Sequence, residues 1–369
     1  MDRANIVIVG GGVVGCAVAC AVARRWADVF LLEQMPHLGM GASSRNSGVI
    51  HSGLYYPPNS LKARHCVQGN RLTYEFCAAH GVPHRNTGKL VVASTPAEEG
   101  KLAELVARGR ANGVPGLKIV DGAAIRAREP HVAGVAAILS PSTGIVSSEE
   151  LVKAYARVAA ARGANIVTHA RVERLEPRGS GVRLVSTAGE IEARCLVNSA
   201  GLFADEVAAM LGSKMAAHRV YPVRGEYCEL VRARSDLVRS LVYPLPHSDG
   251  LGLGLHLTKT LWDTVLVGPT ARYIEDKNDY ESGREPVEEF ARRAKVLLPE
   301  ITAADFVPAY SGIRAKLVPP GEKGPADFII ARDEQFPCVV QLMGIESPGL
   351  TSAPSIAEQV NQLAAEILD

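Results

Sequence analysis

The chain has 369 residues, 47% of them hydrophobic, which is enough for a sizeable core and too many for a disordered polypeptide; this length suggests two domains or one two-lobed unit. A formal charge of +1 provides no global attraction to nucleic acid or to an anionic membrane, so no nucleic-acid partner is expected and any anion preference must be local. The seven cysteines are odd in number and scattered, with no CxxC pair and no Cys/His cluster at metal-ligand spacing; they read as reduced core residues of a cytoplasmic protein without a metal site.

Residues 6–23, IVIVGGGVVGCAVACAVA, follow Arg3, carry no charge and imitate a secretory signal. A buried strand, a glycine turn and a buried helix account for the same run, and its ordered glycines favour that reading. Gly10, Gly12 and Gly15 stand in GxGxxG register between an apolar run and an Ala-rich helix. Gly10 permits the tight turn, Gly12 lets the backbone approach a pyrophosphate, and Gly15 lets the helix press on the strand. A second strand, DVFLLE, ends in Glu33, 18 residues beyond Gly15, where a carboxylate can accept hydrogen bonds from a ribose and repels a 2′-phosphate. An adenine dinucleotide other than NADP is expected.

A nicotinamide-binding fold would continue with regular αβ units. Instead, residues 41–56, GASSRNSGVIHSGLYY, are small and polar, which suits backbone wrapped around a large flat ligand. Ser43, Ser44, Asn46 and Ser47 can satisfy phosphate and ribitol oxygens, while Gly48 and Gly53 let main-chain amides reach a ring edge. Residues 61–81 then read as a helix, GKLVVAS as a strand, PAEEGKLAELVARGRANG as an exposed helix and GLKIVDG as a short strand. SSEELVKAYARVAAARGA has a serine cap, early acids and 3.6-residue periodicity, as a helix requires. NIVTHARVERLE and GVRLVSTAGEIEARCLVNSAG read as three strands, the last ending at Ala200 and Gly201, which are placed for a second contact with the dinucleotide.

Residues 218–318 return to strands, with one amphipathic helix at EPVEEFARRAKVLLPEI. In DGLGLGLHLTKT, Leu251, Leu253, Leu255 and Leu257 point one way, and Gly250, Gly252, Gly254, His256 and Thr258 the other, leaving a smooth groove with His256 at its end. SGIRAKLV puts Arg314 and Lys316 on one face, roughly 7 Å apart at about 3.3 Å per residue, a pair suited to one or two carboxylates. A charge-protected edge strand would give the same pattern. Arg224, in YPVRGEY, either assists them or makes a surface pair with Glu226. The closing GIESPGLTSAPSIAEQVNQLAAEIL combines Gly349, a Thr351/Ser352 cap and Pro354 in the first turn of a helix whose positive end can face an anionic ring.

GGGVVG, GASSRNSGVIHSGLYYPPNSLKARHC, GLHLTKTLWDTVLVGPTA, SGIRAKL and GIESPGLTSAPSIA together resemble the FAD-dependent oxidoreductases of the D-amino-acid oxidase superfamily, most of all the L-2-hydroxyglutarate dehydrogenases and oxidases, nearly end to end. The resemblance implies an α/β fold: a Rossmann-like FAD-binding domain, a parallel sheet with helices, interleaved with an antiparallel-sheet substrate domain. The expected division is 1–85, 146–215 and 335–369 for FAD, and 86–145 and 216–334 for substrate. The cofactor-binding set also takes in Val13, Val14, Gln34, Ala42, His51, Ser52, Val172 and Leu350.

By the same resemblance, Arg314 binds the substrate α-carboxylate with Lys316 beside it. FAD accepts hydride at N5 from C2 of an L-2-hydroxy acid, and His256, or else His51, takes the hydroxyl proton. His51 has two alternative roles, as a hydrogen-bonding anchor for the loop or as a covalent flavin tether. The electron acceptor would be oxygen or a quinone, and membrane contact peripheral at most. An amine or amino-acid oxidase of the same fold is the competing enzyme, and a non-catalytic dinucleotide sensor the competing class.

Overall fold

The computed structural model describes residues 2–246, 254–322, 324 and 326–369. The signal-like run is the centre of the fold. The strand Asp2–Val9 lies between Val29–Leu32 and Gly189–Asn198, parallel to both. Ile6 and Ile8 enter the core on one side of the sheet, Val7 and Val9 the core on the other, as a doubly covered strand of β-branched residues should. The helix Val13–Val22 buries every residue but Val14. Its approach to the strand depends on Gly15, where a Cβ would stand 1.9 Å from the Gly10 carbonyl oxygen.

This first sheet has eight strands. Asn165–Val167 closes one edge beside Val29–Leu32, and the hairpin Val172–Arg178 with Gly181–Ser186 extends the other. Residues 165–198 thus form four strands rather than three, because His169 adopts a φ of 55° and breaks NIVTHARVERLE in two. Val339–Met343 runs parallel to the end of Gly189–Asn198 and pairs with Ile329–Arg332. The sheet therefore takes up the chain from 329, and we propose that the cofactor lobe resumes there rather than at 335.

The helices Val13–Val22, Ser148–Ala161 and Gly349–Leu368 share one core. Ser147 caps the second of them, its Oγ accepting from the Glu150 amide at 3.4 Å. The terminal helix starts earlier than its Thr351/Ser352 pair implies. Pro348 occupies the cap position, Thr351 and Ser352 are buried inside, and Pro354 lies beyond the first turn. Against this helix packs Leu61–His80, at a separation only Gly69 allows, since a Cβ there would lie 2.2 Å from the Thr351 carbonyl oxygen.

A second sheet, with nine strands among the described residues, is antiparallel except where Leu241–Pro244 runs parallel to Lys89–Ala93. Its longest members, Tyr221–Leu230 and Phe306–Lys316, pair antiparallel, and the helix Val287–Ala294 sets Phe290, Ala291 and Ala294 in its core. Of the expected leucine and glycine alternation, Gly250, Leu251, Gly252 and Leu253 lie outside the described residues. Regular strand occupies His256–Lys259, with Leu255 and Leu257 in the core. Six cysteines are buried and Cys338 is partly so, all of them free. No helix among the described residues is long and apolar enough to cross a membrane.

Candidate active site

Both sheets contribute to one cavity of about 1190 Å³, at or above the upper end of the range typical of small-molecule sites. At one end its wall comprises Gly10, Gly12, Val13 and Val14 of the glycine turn and helix start, with Glu33 and Gln34 from the end of the second strand. Glu33 is buried and accepts from two amides, Gly11 N at 2.7 Å through Oε2 and Met35 N at 2.8 Å through Oε1, so it locks the turn it borders. The helix Val13–Val22 has no side chain at its Gly12 cap, and Ser43 Oγ accepts from Val13 N at 2.8 Å. A second turn adds Ala200 and Gly201, tied to the first by Ser199 Oγ, which donates to the carbonyls of Val9 at 2.9 Å and Gly10 at 3.2 Å.

Ala42, Ser43, Asn46, Ser47 and His51 continue the wall, and Gly349 and Leu350 face it from the terminal helix. Asn46 braces the turn internally: its Nδ2 donates to the carbonyls of Ala42 and Ser43, and its Oδ1 accepts from Gly48 N at 2.8 Å. Ser47 Oγ meets Tyr227 Oη at 3.0 Å.

Seven residues expected to bind the cofactor are not among those that line the cavity, and each has a packing contact within the protein. Gly15 presses helix on strand; Ser44 bonds its own turn at Gly41; Gly48 approaches the Val146 carbonyl; Gly53 accommodates Val67. Ser52 is buried against Ser140, and Val172 sits in the apolar core of the hairpin. Thr351 Oγ1 accepts from His51 N at 2.9 Å and donates to the Val49 carbonyl at 3.3 Å, which ties the terminal helix to the loop.

At the other end His51, His256, Arg314 and Lys316 all reach the cavity. His51 Nε2 lies 3.4 Å from Ser347 Oγ, while its Nδ1 is buried without a hydrogen bond among the described residues; burial, with Lys89 adding to it, pushes its pKa down to about 3. His256 stacks on Tyr243, ring centroids 3.5 Å apart and 8° from parallel. Arg314 donates to the Thr270 carbonyl at 3.0 Å, and neither it nor Lys316 forms an ion pair among the described residues. Arg224 is different. It is fully buried, bonded to Glu226 at 2.9 Å and Asp279 at 3.1 Å, so it is neither a surface residue nor available to a ligand.

Several wall residues escape a reading of single strands. Gly225 lies across the sheet from the arginine strand, and a Cβ there would meet the Arg314 guanidinium at 2.8 Å; its bareness lets that side chain lie flat. Tyr55, Tyr227 and Tyr243 supply aromatic wall, and burial raises the pKa of each phenol. The glycine in YPVRGEY is a signal that could have flagged the first; the tyrosines carry no positional signal.

The donor set fits FAD. The turn offers helix-start amides to a pyrophosphate, Glu33 borders it as a ribose acceptor, and the cavity runs on to a polar end large enough for a second ring system and a small acid.

Comparison with known proteins agrees. The family model described as FAD dependent oxidoreductase matches residues 5–363. The chain is 35% identical to the mitochondrial L-2-hydroxyglutarate dehydrogenase of Arabidopsis thaliana, over 97% of this chain and 83% of that one. It is 31% identical to the L-2-hydroxyglutarate dehydrogenase of Escherichia coli K12, over 96% and 92%. Among solved structures it is similar to the dithionite-reduced L-alpha-glycerophosphate oxidase of Mycoplasma pneumoniae with FAD bound, at TM-score 0.89 and 25% identity, over 100% of this chain and 95% of that one. A glycine oxidase from Geobacillus kaustophilus shares the fold at TM-score 0.82. With its glycine turn, its acidic strand end and a match running almost its whole length, the chain belongs to the D-amino-acid oxidase family of FAD-dependent oxidoreductases.

Proposed function

We propose that the protein oxidises a small L-2-hydroxy acid bearing two carboxylates, L-2-hydroxyglutarate, to the corresponding 2-oxo acid. One observation carries this reading: Arg314 and Lys316 share a strand face on the cavity wall, and among the described residues no carboxylate neutralises either. An amino acid brings an ammonium group that such a pair would repel, whereas a hydroxy diacid brings two anions and no cation. The names of the curated relatives support the same substrate.

When bound, FAD supplies a two-electron acceptor. The chain supplies alignment and proton handling. Arg314, held at one nitrogen by the Thr270 carbonyl, keeps its other donors for a bidentate hold on the carboxylate beside C2, and Lys316 takes the distal carboxylate as a point charge. His256 takes the hydroxyl proton, and its stacking on Tyr243 fixes the ring that receives it. His51, neutral through burial, hydrogen-bonds at the same end of the cavity. The electron acceptor for bound FAD would be oxygen or a quinone. The free cysteines support a cytoplasmic location.

The test is anaerobic bleaching of the purified yellow protein by L-2-hydroxyglutarate, with glycine and D-amino acids as competitors. Bleaching by an amine and not by the hydroxy acid rejects the reading. Arg314→Ala should raise KM and cut kcat/KM roughly 100-fold or more, while unchanged kinetics would remove the anchor.

A further inference from the structure

Lys89 opens the strand Lys89–Ala93 and is completely buried, yet its Nζ has neither a hydrogen bond nor an ion pair among the described residues. It rests on aromatic faces instead, 4.5 Å from the ring centre of Tyr55 and 4.6 Å from that of Tyr243. Both rings lie on the cavity wall, and Tyr243 is the ring on which His256 stacks. The strands on either side present Leu241 and Ser140 opposite Lys89, neither of them charged.

Among the described residues, the titratable groups that act on it are Tyr55, Tyr243, Cys66 and His51, with His256 stacked on Tyr243. Burial raises the phenols and the thiol and lowers the imidazole, so all four are neutral at neutral pH and none of them supplies an anion to balance the ammonium. Quadrupole attraction from two rings offsets only part of the cost of desolvating such a group. Burial accordingly brings the Lys89 pKa down to about 7.

We infer that Lys89 is a positioning residue whose protonation is coupled to substrate: a dicarboxylate entering the cavity draws a proton from solvent onto the buried amine, and the resulting cation strengthens the hold on the anion from behind the Tyr55 and Tyr243 rings. The inference rests on the dicarboxylate reading above and deepens it. The step balances simply, since one proton leaves solvent, one N–H bond forms, and the net negative charge of the loaded site falls by one. It gives the layer beneath His256 a second task besides packing, because the same charge helps to hold His51 in its neutral form.

The experiment uses the flavin-loaded protein and glutarate, which has both carboxylates and no hydroxyl to oxidise. Binding is followed by the shift in flavin absorbance, and proton exchange by an indicator dye in weak buffer from pH 6 to 9. The expected result is uptake of a fraction of a proton per bound glutarate above pH 7, fading toward pH 6, where the amine is already charged. Lys89→Met, one atom shorter, unbranched and neutral, should bind roughly tenfold more weakly at pH 7.5 and take up no proton. Lys89→Gln should behave likewise.

Binding without uptake in the unaltered protein, or undiminished uptake in a folded variant, overturns the inference. The uptake curve of the unaltered protein decides the matter even if neither variant folds. If L-2-hydroxyglutarate bleaches the flavin but glutarate binds without uptake, Lys89 alone is misassigned. If neither acid perturbs the flavin, both readings fall.

Discussion

Glu33 holds two amides of the turn it borders, so its carboxylate acts on the cofactor site in two ways, by fixing the loop and by presenting charge beside it. Glu33→Gln keeps the shape but turns an NH2 group toward a backbone N–H. We expect FAD to bind roughly 10- to 100-fold more weakly, read as the flavin-to-protein ratio after dialysis and as a titrated Kd. His51 permits a test by pH. Its folded pKa of about 3 lies below the ordinary histidine value of 6.5, so between the two the unfolded chain binds more protons. That contribution to stability is complete above pH 6.5 and is lost as pH falls toward 3. The melting temperature should decline across this window, and less steeply in His51→Gln, as differential scanning fluorimetry of both proteins in matched buffers would show. At this scale the sequence was informative wherever chemistry follows chain order, as in the glycine turn, Glu33, and the alternation that pairs Arg314 with Lys316. It could not decide whether Arg224 assists Arg314, because that depends on what lies around each in space: a bare Gly225 under one, Glu226 and Asp279 around the other.

At the scale of elements, the site depends on how closely the helix Leu61–His80 meets the start of Gly349–Leu368. Gly69 sets that distance, and adding a methyl group there would drive it into the Thr351 carbonyl. Gly69→Ala should cost about 1–3 kcal/mol in urea denaturation and also lower flavin retention, since Gly349 and Leu350 on the wall move with the helix. A variant with full stability and full flavin content would refute the coupling. Most helices and strands were legible from periodicity and caps, including Ser147. The start of the terminal helix was not, because Thr351 and Ser352 resemble capping residues but are needed inside, where Thr351 bonds the His51 amide. The extra strand at Asn165–Val167 was hidden by one left-handed residue, His169, in a run that otherwise reads as continuous.

For the whole molecule, two sheets share one cavity, so ligand binding stabilises both. At 100 times its Kd, FAD should add about 2.7 kcal/mol to unfolding, measurable as a higher melting temperature in reconstituted than in flavin-stripped protein. Equal melting temperatures would mean that the cofactor is held by one lobe loosely attached to the rest. The cofactor cavity is assembled from segments far apart in the chain: the first strand and helix, residues 41–51, the turn at 199–201 and the head of the helix Gly349–Leu368. The segment from the strand Val339–Met343 to the start of that helix leaves the ribosome after the other parts of the wall. A nascent chain can therefore assemble its glycine turn early but has no enclosed compartment for the flavin until the segment around residue 350 has left the ribosome and folded, so chains truncated before that segment should be colourless.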